Sequence, residues 1–176
     1  MKAFLKHILT DARDAHFIMA LIGFTSLAGA LISQYIFGLL PCVLCIYQRW
    51  PHGVVILLGL IGASVSKHAV KFSAFLMFLS GVAMFIGSGI AFFHTGVELK
   101  WWQGTDSCGI PLNTNDFDAF KNQILNAPAV RCDEIPWADP ILGLSMANYN
   151  VILSLLTGVY GVLTSIGIAR KANNML

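Results

Sequence analysis

The chain has 176 residues, of which 56% are hydrophobic and 11% are charged, and its formal net charge is +2 at pH 7. A soluble globular domain carries about 25% charged residues, so this composition excludes an ordinary soluble domain and indicates a membrane protein.

Charged residues divide the chain into four uncharged runs, at 15–48, 50–66, 72–97 and 140–169. A helix needs roughly 20 apolar residues to cross the hydrocarbon core of a bilayer. The first run is longer than one span, and Gly38 and Pro41 mark a turn inside it. We therefore predict an all-α membrane protein, a bundle of four transmembrane helices that forms a single domain over 1–176. The predicted spans are about 17–37, 45–65, 72–93 and 147–168.

The orientation follows from lysine and arginine, which collect on the cytoplasmic side of short membrane loops. On one side of the four spans, the only acids are Asp11 and Asp14. The basic residues of that side are Lys2, Lys6, Arg13, Lys67, Lys71, Arg170 and Lys171. The segment 98–139 instead has three basic and seven acidic residues. We expect both termini in the cytoplasm and a long loop, about 95–146, on the outer side.

Within this loop, the stretch NTNDFDAFKNQILN favours a helix. Thr114 or Asn115 can cap its N-terminus, and Phe117, Phe120 and Ile124 follow at helical spacing. We predict a short amphipathic helix that lies on the membrane surface, with its apolar face available to pack on the bundle.

The four cysteines fall on the predicted outer side, where disulfides persist. They form two groups, Cys42 with Cys45 and Cys108 with Cys132, but four cysteines allow three pairings and the sequence does not choose among them. A Cys108–Cys132 bridge would contribute roughly 3.5 kcal/mol in the chain-entropy model, and a Cys42–Cys45 bridge about 2 kcal/mol, less any strain. The first pair could be purely structural. Cys-x-x-Cys spacing is instead typical of thiol exchange, in which one thiol attacks and the other resolves.

Arg49 is the only charged residue inside a predicted span, and an intramembrane charge is costly enough to indicate a function. On a helix, Cys45, Arg49 and His52 share one face. A guanidinium beside Cys45, near a helix N-terminus, would favour a thiolate there and could hydrogen-bond a carbonyl of a ligand that enters from the bilayer. The alternative is that Arg49 reaches lipid phosphates.

His94 closes the third predicted span at the same outer level as His52. Two histidines on separate helices could ligate haem, and His52 with Cys42 and Cys45 could bind zinc. Because the outer side favours oxidised cysteines, we expect no metal at this site.

Several motifs together resemble one known family. The motif PCVLCIYQR, which contains Cys42, Cys45 and Arg49, opens the second predicted span. FHTG closes the third span, GLSMANYN opens the fourth, and the loop pair Cys108 and Cys132 lies between them. This pattern covers nearly the whole chain and resembles the disulfide bond formation protein B (DsbB) family. The stretch WADPILG, just before the fourth span, has no firm counterpart in that pattern.

The resemblance implies a disulfide-generating thiol oxidase in the bacterial inner membrane, with its active cysteines on the periplasmic side. Its expected partner is a periplasmic DsbA-like protein of the thioredoxin fold, which it would reoxidise. Its expected electron acceptor is a membrane quinone, either ubiquinone or menaquinone. We expect no nucleic-acid partner.

Carried over to this chain, the resemblance implies that the partner's thiolate attacks Cys108, whose bridge partner is Cys132. Cys42 and Cys45 would accept these electrons by disulfide exchange, and Cys45 would then react with the quinone. The residues expected to contact the quinone are Arg49, Cys45, His94 and His52.

Two alternatives remain open. A vitamin K epoxide reductase-like protein also combines a membrane Cys-x-x-Cys with outer cysteines, although there the motif lies late in the chain and here it opens the second span. The other alternative is a non-catalytic membrane scaffold stapled by two disulfides. In a scaffold, replacing Cys42 and Cys45 would harm stability without affecting any electron transfer.

Overall fold

The structure of the chain is a computed structural model that describes residues 11–108, 121 and 130–174. Most of these residues belong to four long helices: α1 (Ala12–Tyr35), α2 (Val43–Val65), α3 (Val70–Glu98) and α4 (Met146–Asn173). All four are long and apolar enough to cross a membrane, and the described residues contain no strand. The predicted all-helical architecture with four membrane spans is therefore confirmed.

The described parts of the connection from α3 to α4 are short. They contain a single 3-10 turn, Asp106–Cys108, and a tight turn that leads into α4. In that turn the backbone N–H of Asp139 donates to the carbonyl of Leu144 at 2.9 Å, and Gly143 has a φ of 68°. Glycine adopts this left-handed conformation without strain, which accounts for its place in the WADPILG stretch. Except for Lys121, the predicted amphipathic loop helix at 114–124 lies outside the described residues.

Side chains at the helix N-termini determine where the helices begin. Asp11 and Ser145 cap α1 and α4 by accepting hydrogen bonds from backbone N–H groups of the first turn. The cap of α2 is Cys42, whose Sγ accepts from the backbone N–H of Cys45 at 3.3 Å. Ser, Thr, Asp and Asn are the preferred caps, so a thiol in this position is unusual. The helix start and the Cys-x-x-Cys motif therefore coincide.

The helices pack in chain order, α1 on α2, α2 on α3 and α3 on α4, with the last contact the most extensive. Their central core consists of Met19, Val55, Met77, Met84 and Ile168, with smaller residues around them. The outward faces of the helices are also apolar. Large apolar side chains there are more than half exposed, among them Leu21, Phe24, Leu57 and Leu156. A bundle that is apolar inside and outside is suited to lipid rather than water.

Small residues let α1 and α2 approach each other closely. A Cβ added to Gly59 would lie 2.9 Å from both the Cβ of Ala20 and the backbone oxygen of His16. One turn further, Gly62 lies directly against the His16 ring, which is fully buried and hydrogen-bonded through Nε2 to Ser73 Oγ at 3.0 Å. Transmembrane helices associate through such close packing, because lipid is as apolar as their side chains and supplies no hydrophobic driving force.

Replacing Gly59 by alanine is expected to separate α1 from α2 and to lower the temperature of thermal unfolding, since overpacking costs about 1–3 kcal/mol. The matched control is Gly53→Ala on the same helix, where an added Cβ meets no other atom within 4 Å. Thermal unfolding in detergent, followed by circular dichroism, measures the difference. Equal unfolding temperatures for the two variants would contradict the close approach.

Candidate thiol site and adjoining cavity

The Cys-x-x-Cys motif lies at the N-terminus of α2. The Sγ atoms of Cys42 and Cys45 are 3.2 Å apart, and Cys42 is buried whereas Cys45 is half-buried. The hydrogen bond between the two thiols, together with a contact to His94, holds the pKa of Cys42 well below its ordinary value. The positive end of the helix dipole acts in the same direction. The structure thus favours a thiolate at Cys42, whereas the sequence analysis considered only Cys45.

The second cysteine pair packs directly against this motif. Cys108 and Cys132 form a disulfide, and both lie in one buried cluster with Cys42, Leu44 and Val97. Of the three pairings that the sequence allowed, the structure contains the 108–132 bridge, while the two cysteines of the motif are free thiols. Thiol exchange between the two pairs therefore requires only a local movement.

Neither sulfur of the loop bridge faces water. Cys108 is 2% exposed and Cys132 is fully buried. Gly104 is packed so closely that an added Cβ would lie 2.7 Å from the Cβ of Cys108. The expectation that a soluble protein attacks this pair is not tested by this single arrangement and stays a prediction. The observed arrangement suits exchange within the chain, and attack from solution requires Cys108 to leave the cluster first.

His94 and Glu98 occupy the last turns of α3, beside Cys42. His94 Nε2 lies 3.5 Å from Cys42 Sγ and 3.8 Å from Glu98 Oε1. The hydroxyl of Ser145, the cap of α4, donates a hydrogen bond to the other carboxylate oxygen of Glu98. Because α3 continues to Glu98, this acid is 7% exposed inside the bundle. The sequence analysis had counted it among the acids of the loop.

An apolar cavity of about 480 Å³ adjoins the motif and is lined by residues of all four helices. Four of the predicted site residues line it: Cys45, Arg49, His52 and His94. Arg49 is half-buried, and its Nη1 donates to Gln34 Oε1 at 2.7 Å, so a residue of α1 holds the guanidinium at the cavity. The volume falls within the range of small-molecule sites, about 300–1,000 Å³.

Polar side chains of α2, α3 and α4 meet beside this cavity. His52 Nε2 lies 3.0 Å from Asn150 Oδ1, and Asn150 Nδ2 donates to Gln48 Oε1 at 2.7 Å. Gln48 Nε2 in turn lies 2.7 Å from His94 Nδ1. The sequence analysis named both histidines but missed Gln48, Asn150 and Glu98. Their only sequence signal is that they are polar residues in or beside apolar runs, and packing alone shows that they meet.

The site also offers ligand atoms for a metal. The sulfurs of Cys42 and Cys45 and a ring nitrogen of His94 lie within 4.8 Å of one another. The sequence suggested His52 as the histidine of such a group, whereas the structure places His94 there. Zinc binds thiolates and imidazole, so this group could hold a metal only while both thiols are reduced. The expectation of no metal stays a prediction.

A membrane helix bundle that places a Cys-x-x-Cys pair against a second, buried disulfide has the components of a membrane thiol–disulfide oxidoreductase. Residues 12–164 match the family model described as Disulfide bond formation protein DsbB. The chain therefore belongs to the DsbB family and is a multi-pass membrane protein of disulfide bond formation.

Relatives that are named disulfide bond formation protein B support this assignment. The disulfide bond formation protein B of Xylella fastidiosa strain Temecula1 is 31% identical over 153 residues, which are 82% of this chain and 84% of that protein. The protein of the same name from Xanthomonas euvesicatoria pv. vesicatoria is 31% identical over 141 residues, 75% of this chain and 80% of that protein. No solved structure matches the chain.

Peptide mapping of the unreduced protein, alkylated before digestion, is expected to recover Cys108 and Cys132 in one crosslinked product. The reason is that this bridge is already formed and both of its sulfurs are buried, so that thiols from solution do not reach it. In a Cys132→Ala variant, Cys108 should become alkylated after denaturation. A resting protein in which Cys42 is bridged mainly to a loop cysteine would contradict the observed pairing.

Proposed function

We propose that this protein is a thiol:quinone oxidoreductase, which reoxidises a DsbA-like protein of the thioredoxin fold and passes the electrons to a membrane quinone. One observation carries the proposal: the Cys-x-x-Cys pair has a different neighbour on each side. Cys42 packs with the Cys108–Cys132 bridge, and Cys45 lines the apolar cavity. A pair in this position can receive electrons from a protein in water and give them to a small molecule in lipid.

The residues of the cavity fit a quinone. Its lining is mainly apolar, as a lipid-soluble ring requires, and Arg49 supplies N–H donors for a carbonyl oxygen. His52 and His94 add polar atoms to the same wall. A bound quinone would supply an acceptor of two electrons and two protons that diffuses within the membrane.

The first exchange takes place in the loop. The partner's thiolate attacks Cys108, the bond to Cys132 breaks, and Cys132 leaves as a thiolate. The partner's second thiol then attacks the mixed disulfide, which releases Cys108 and leaves the partner oxidised. Since Cys108 is buried in the described arrangement, this step begins with its exposure.

The second exchange is internal. The Cys132 thiolate attacks the Cys42–Cys45 disulfide at Cys42, and Cys45 leaves as a thiolate towards the cavity. Cys108 then attacks Cys132, re-forms the loop bridge and releases Cys42 as a thiolate. Two electrons have thereby moved from the loop pair to the motif, and the buried cluster that holds three of these four sulfurs makes the transfer short.

At the cavity, Arg49 has two tasks. Its guanidinium lines the same cavity as Cys45, where it stabilises negative charge that develops in the reaction and orients the carbonyl oxygen of the acceptor. Two electrons then leave the two sulfurs as the Cys42–Cys45 disulfide re-forms, and a bound quinone would take up these electrons together with two protons from the surroundings. A partner as oxidising as DsbA, at about −120 mV, can be recharged only if this last step is strongly favourable.

We further propose that the chain forms a single domain in a bacterial inner membrane, with its termini in the cytoplasm and its cysteines on the periplasmic side. The thiol site lies where α2 begins and α3 ends. Basic residues lie at the opposite helix ends, namely Arg13, Lys67, Lys71, Arg170 and Lys171. This distribution follows the positive-inside rule.

Quinone reduction by the purified protein is the direct test. With a reduced thioredoxin-fold dithiol protein as donor, the absorbance of ubiquinone or menaquinone analogues should fall, and Cys45→Ser should abolish the change. Arg49→Met should raise the KM for the quinone about tenfold or more, because a charged hydrogen bond is lost. Arg13→Met, at the other end of the bundle, serves as the control. Failure of the intact protein with both quinone classes would overturn the proposal and favour the scaffold alternative.

The orientation is tested with reporter fusions at the C-terminus. Green fluorescent protein should fluoresce there, because it folds in the cytoplasm, and alkaline phosphatase should be inactive, because it needs an oxidising compartment. A phosphatase inserted after Lys100 should be active. The reverse pattern would place the cysteines on the cytoplasmic side and contradict the proposed topology.

A further inference from the structure

The hydrogen bonds around the cavity form one continuous chain of side chains. It runs from Ser154 and His52 to Asn150, then to Gln48, and ends at His94. Ser154 Oγ donates to Asn150 Oδ1 at 2.9 Å, and the other contacts are between 2.7 and 3.0 Å. Gln48 and His94 are among the buried residues of the bundle, at 6% and 3% exposed. Water therefore does not compete for these groups.

A backbone carbonyl fixes the orientation of the Gln48 amide, and with it the donor and acceptor at each of these hydrogen bonds. Gln48 Nε2 lies 3.3 Å from the carbonyl oxygen of Leu44, a group that can only accept. The amino group of Gln48 must therefore face Leu44, and the same group faces His94 Nδ1. The opposite face of the amide, Oε1, accepts from Asn150 Nδ2, which agrees with this orientation.

The consequence for His94 is a defined tautomer. Because Nδ1 accepts the hydrogen bond from Gln48, the ring proton is on Nε2. Nε2 is the atom that lies 3.5 Å from Cys42 Sγ. Glu98 Oε1, at 3.8 Å, is beyond hydrogen-bonding distance, and Ser145 donates to the other oxygen of this carboxylate. The N–H of His94 thus has the sulfur of Cys42 as its side-chain acceptor, and the backbone of Cys132 offers a second acceptor.

We propose that Gln48 and Asn150 are positioning residues, which hold His94 as the Nε2–H tautomer so that this N–H donates to the sulfur of Cys42 when it is a thiolate. The proposal rests on the proposed internal exchange, in which the disulfide bond between Cys42 and Cys132 breaks and releases Cys42 as a thiolate. When Cys108 attacks Cys132, the 108–132 bond forms, the 132–42 bond breaks, and the electron pair goes to Cys42. The N–H of His94 stabilises that charge without transferring its proton.

The same arrangement bears on metal binding. A histidine ligates a metal through a nitrogen that carries no proton. In the hydrogen-bond chain, the nitrogen of His94 that faces the thiols carries the proton. Gln48 therefore disfavours the metal geometry that Cys42, Cys45 and His94 would otherwise offer. At the far end of the chain, Asn150 Oδ1 accepts from Nε2 of His52, whose Nδ1 has no partner among the described residues.

The test reads the tautomer directly, without quinone or partner. In detergent-solubilised protein labelled with ¹⁵N-histidine, long-range ¹H–¹⁵N spectra distinguish a protonated from an unprotonated ring nitrogen, and His94→Gln assigns the signal. The wild type should show Nε2 protonated and Nδ1 unprotonated. Gln48→Leu should lose this preference and Asn150→Leu should weaken it. Thr95→Val is the matched control. Thr95 is buried beside His94, but it donates to Asn148, which does not belong to this series of hydrogen bonds.

A structural role alone would not produce the kinetic pattern that we expect. Gln48→Leu should lower kcat for electron transfer about tenfold, the effect of one lost charge-assisted hydrogen bond, together with the loss of the His94 tautomer preference. Thr95→Val should leave both unchanged. A wild-type His94 that is protonated on Nδ1 or on both nitrogens would overturn the proposal, as would an unaltered His94 signal in Gln48→Leu. If the wild type shows the Nε2–H tautomer but reduces no quinone, the proposed function fails and the tautomer assignment stands.

Discussion

Helix α2 begins at Cys42, and the geometry of the site depends on this start. The first turn of a helix leaves backbone N–H groups without internal partners, and here one of them donates to the sulfur of Cys42. A cysteine of the motif therefore supplies a hydrogen-bond acceptor for the N-terminus of its own helix. The next turns place Cys45 and Arg49 on the wall of the cavity. A membrane helix starts at the edge of the apolar layer, so both sulfurs lie where loop and lipid meet.

The position of this helix end also explains the arrangement of the two cysteine pairs. The loop folds back so that Cys108 and Cys132 pack on the Cys42 side, while α1 closes the cavity on the Cys45 side and holds Arg49 through Gln34. Buried exchange protects the thiols from water and from other proteins. The proposed reaction with a soluble partner therefore requires the loop bridge to move, because in its described position it is buried against the internal pair.

A second feature of the bundle is a network of buried polar side chains at the thiol end. Polar groups buried in an apolar bundle are costly unless they are hydrogen-bonded. Gln48, His94 and Asn150 satisfy one another, and Ser145 satisfies the Glu98 carboxylate. The network thereby links α2, α3 and α4 at the end where the reaction is proposed. Its members are fixed in orientation because each has few alternative partners.

The sequence by itself determined the four helices, the membrane class and the grouping of the cysteines, but not how they pair. Uncharged runs and the Cys-x-x-Cys spacing are local properties that can be read along the chain. Only the tertiary structure decided which side chains meet. Ser145, 47 positions away, donates to Glu98 within the bundle, and Asn150 reaches Gln48 across 102 positions. Such contacts depend on how each helix is rotated against its neighbours, and close packing around small residues such as Gly59 fixes that rotation.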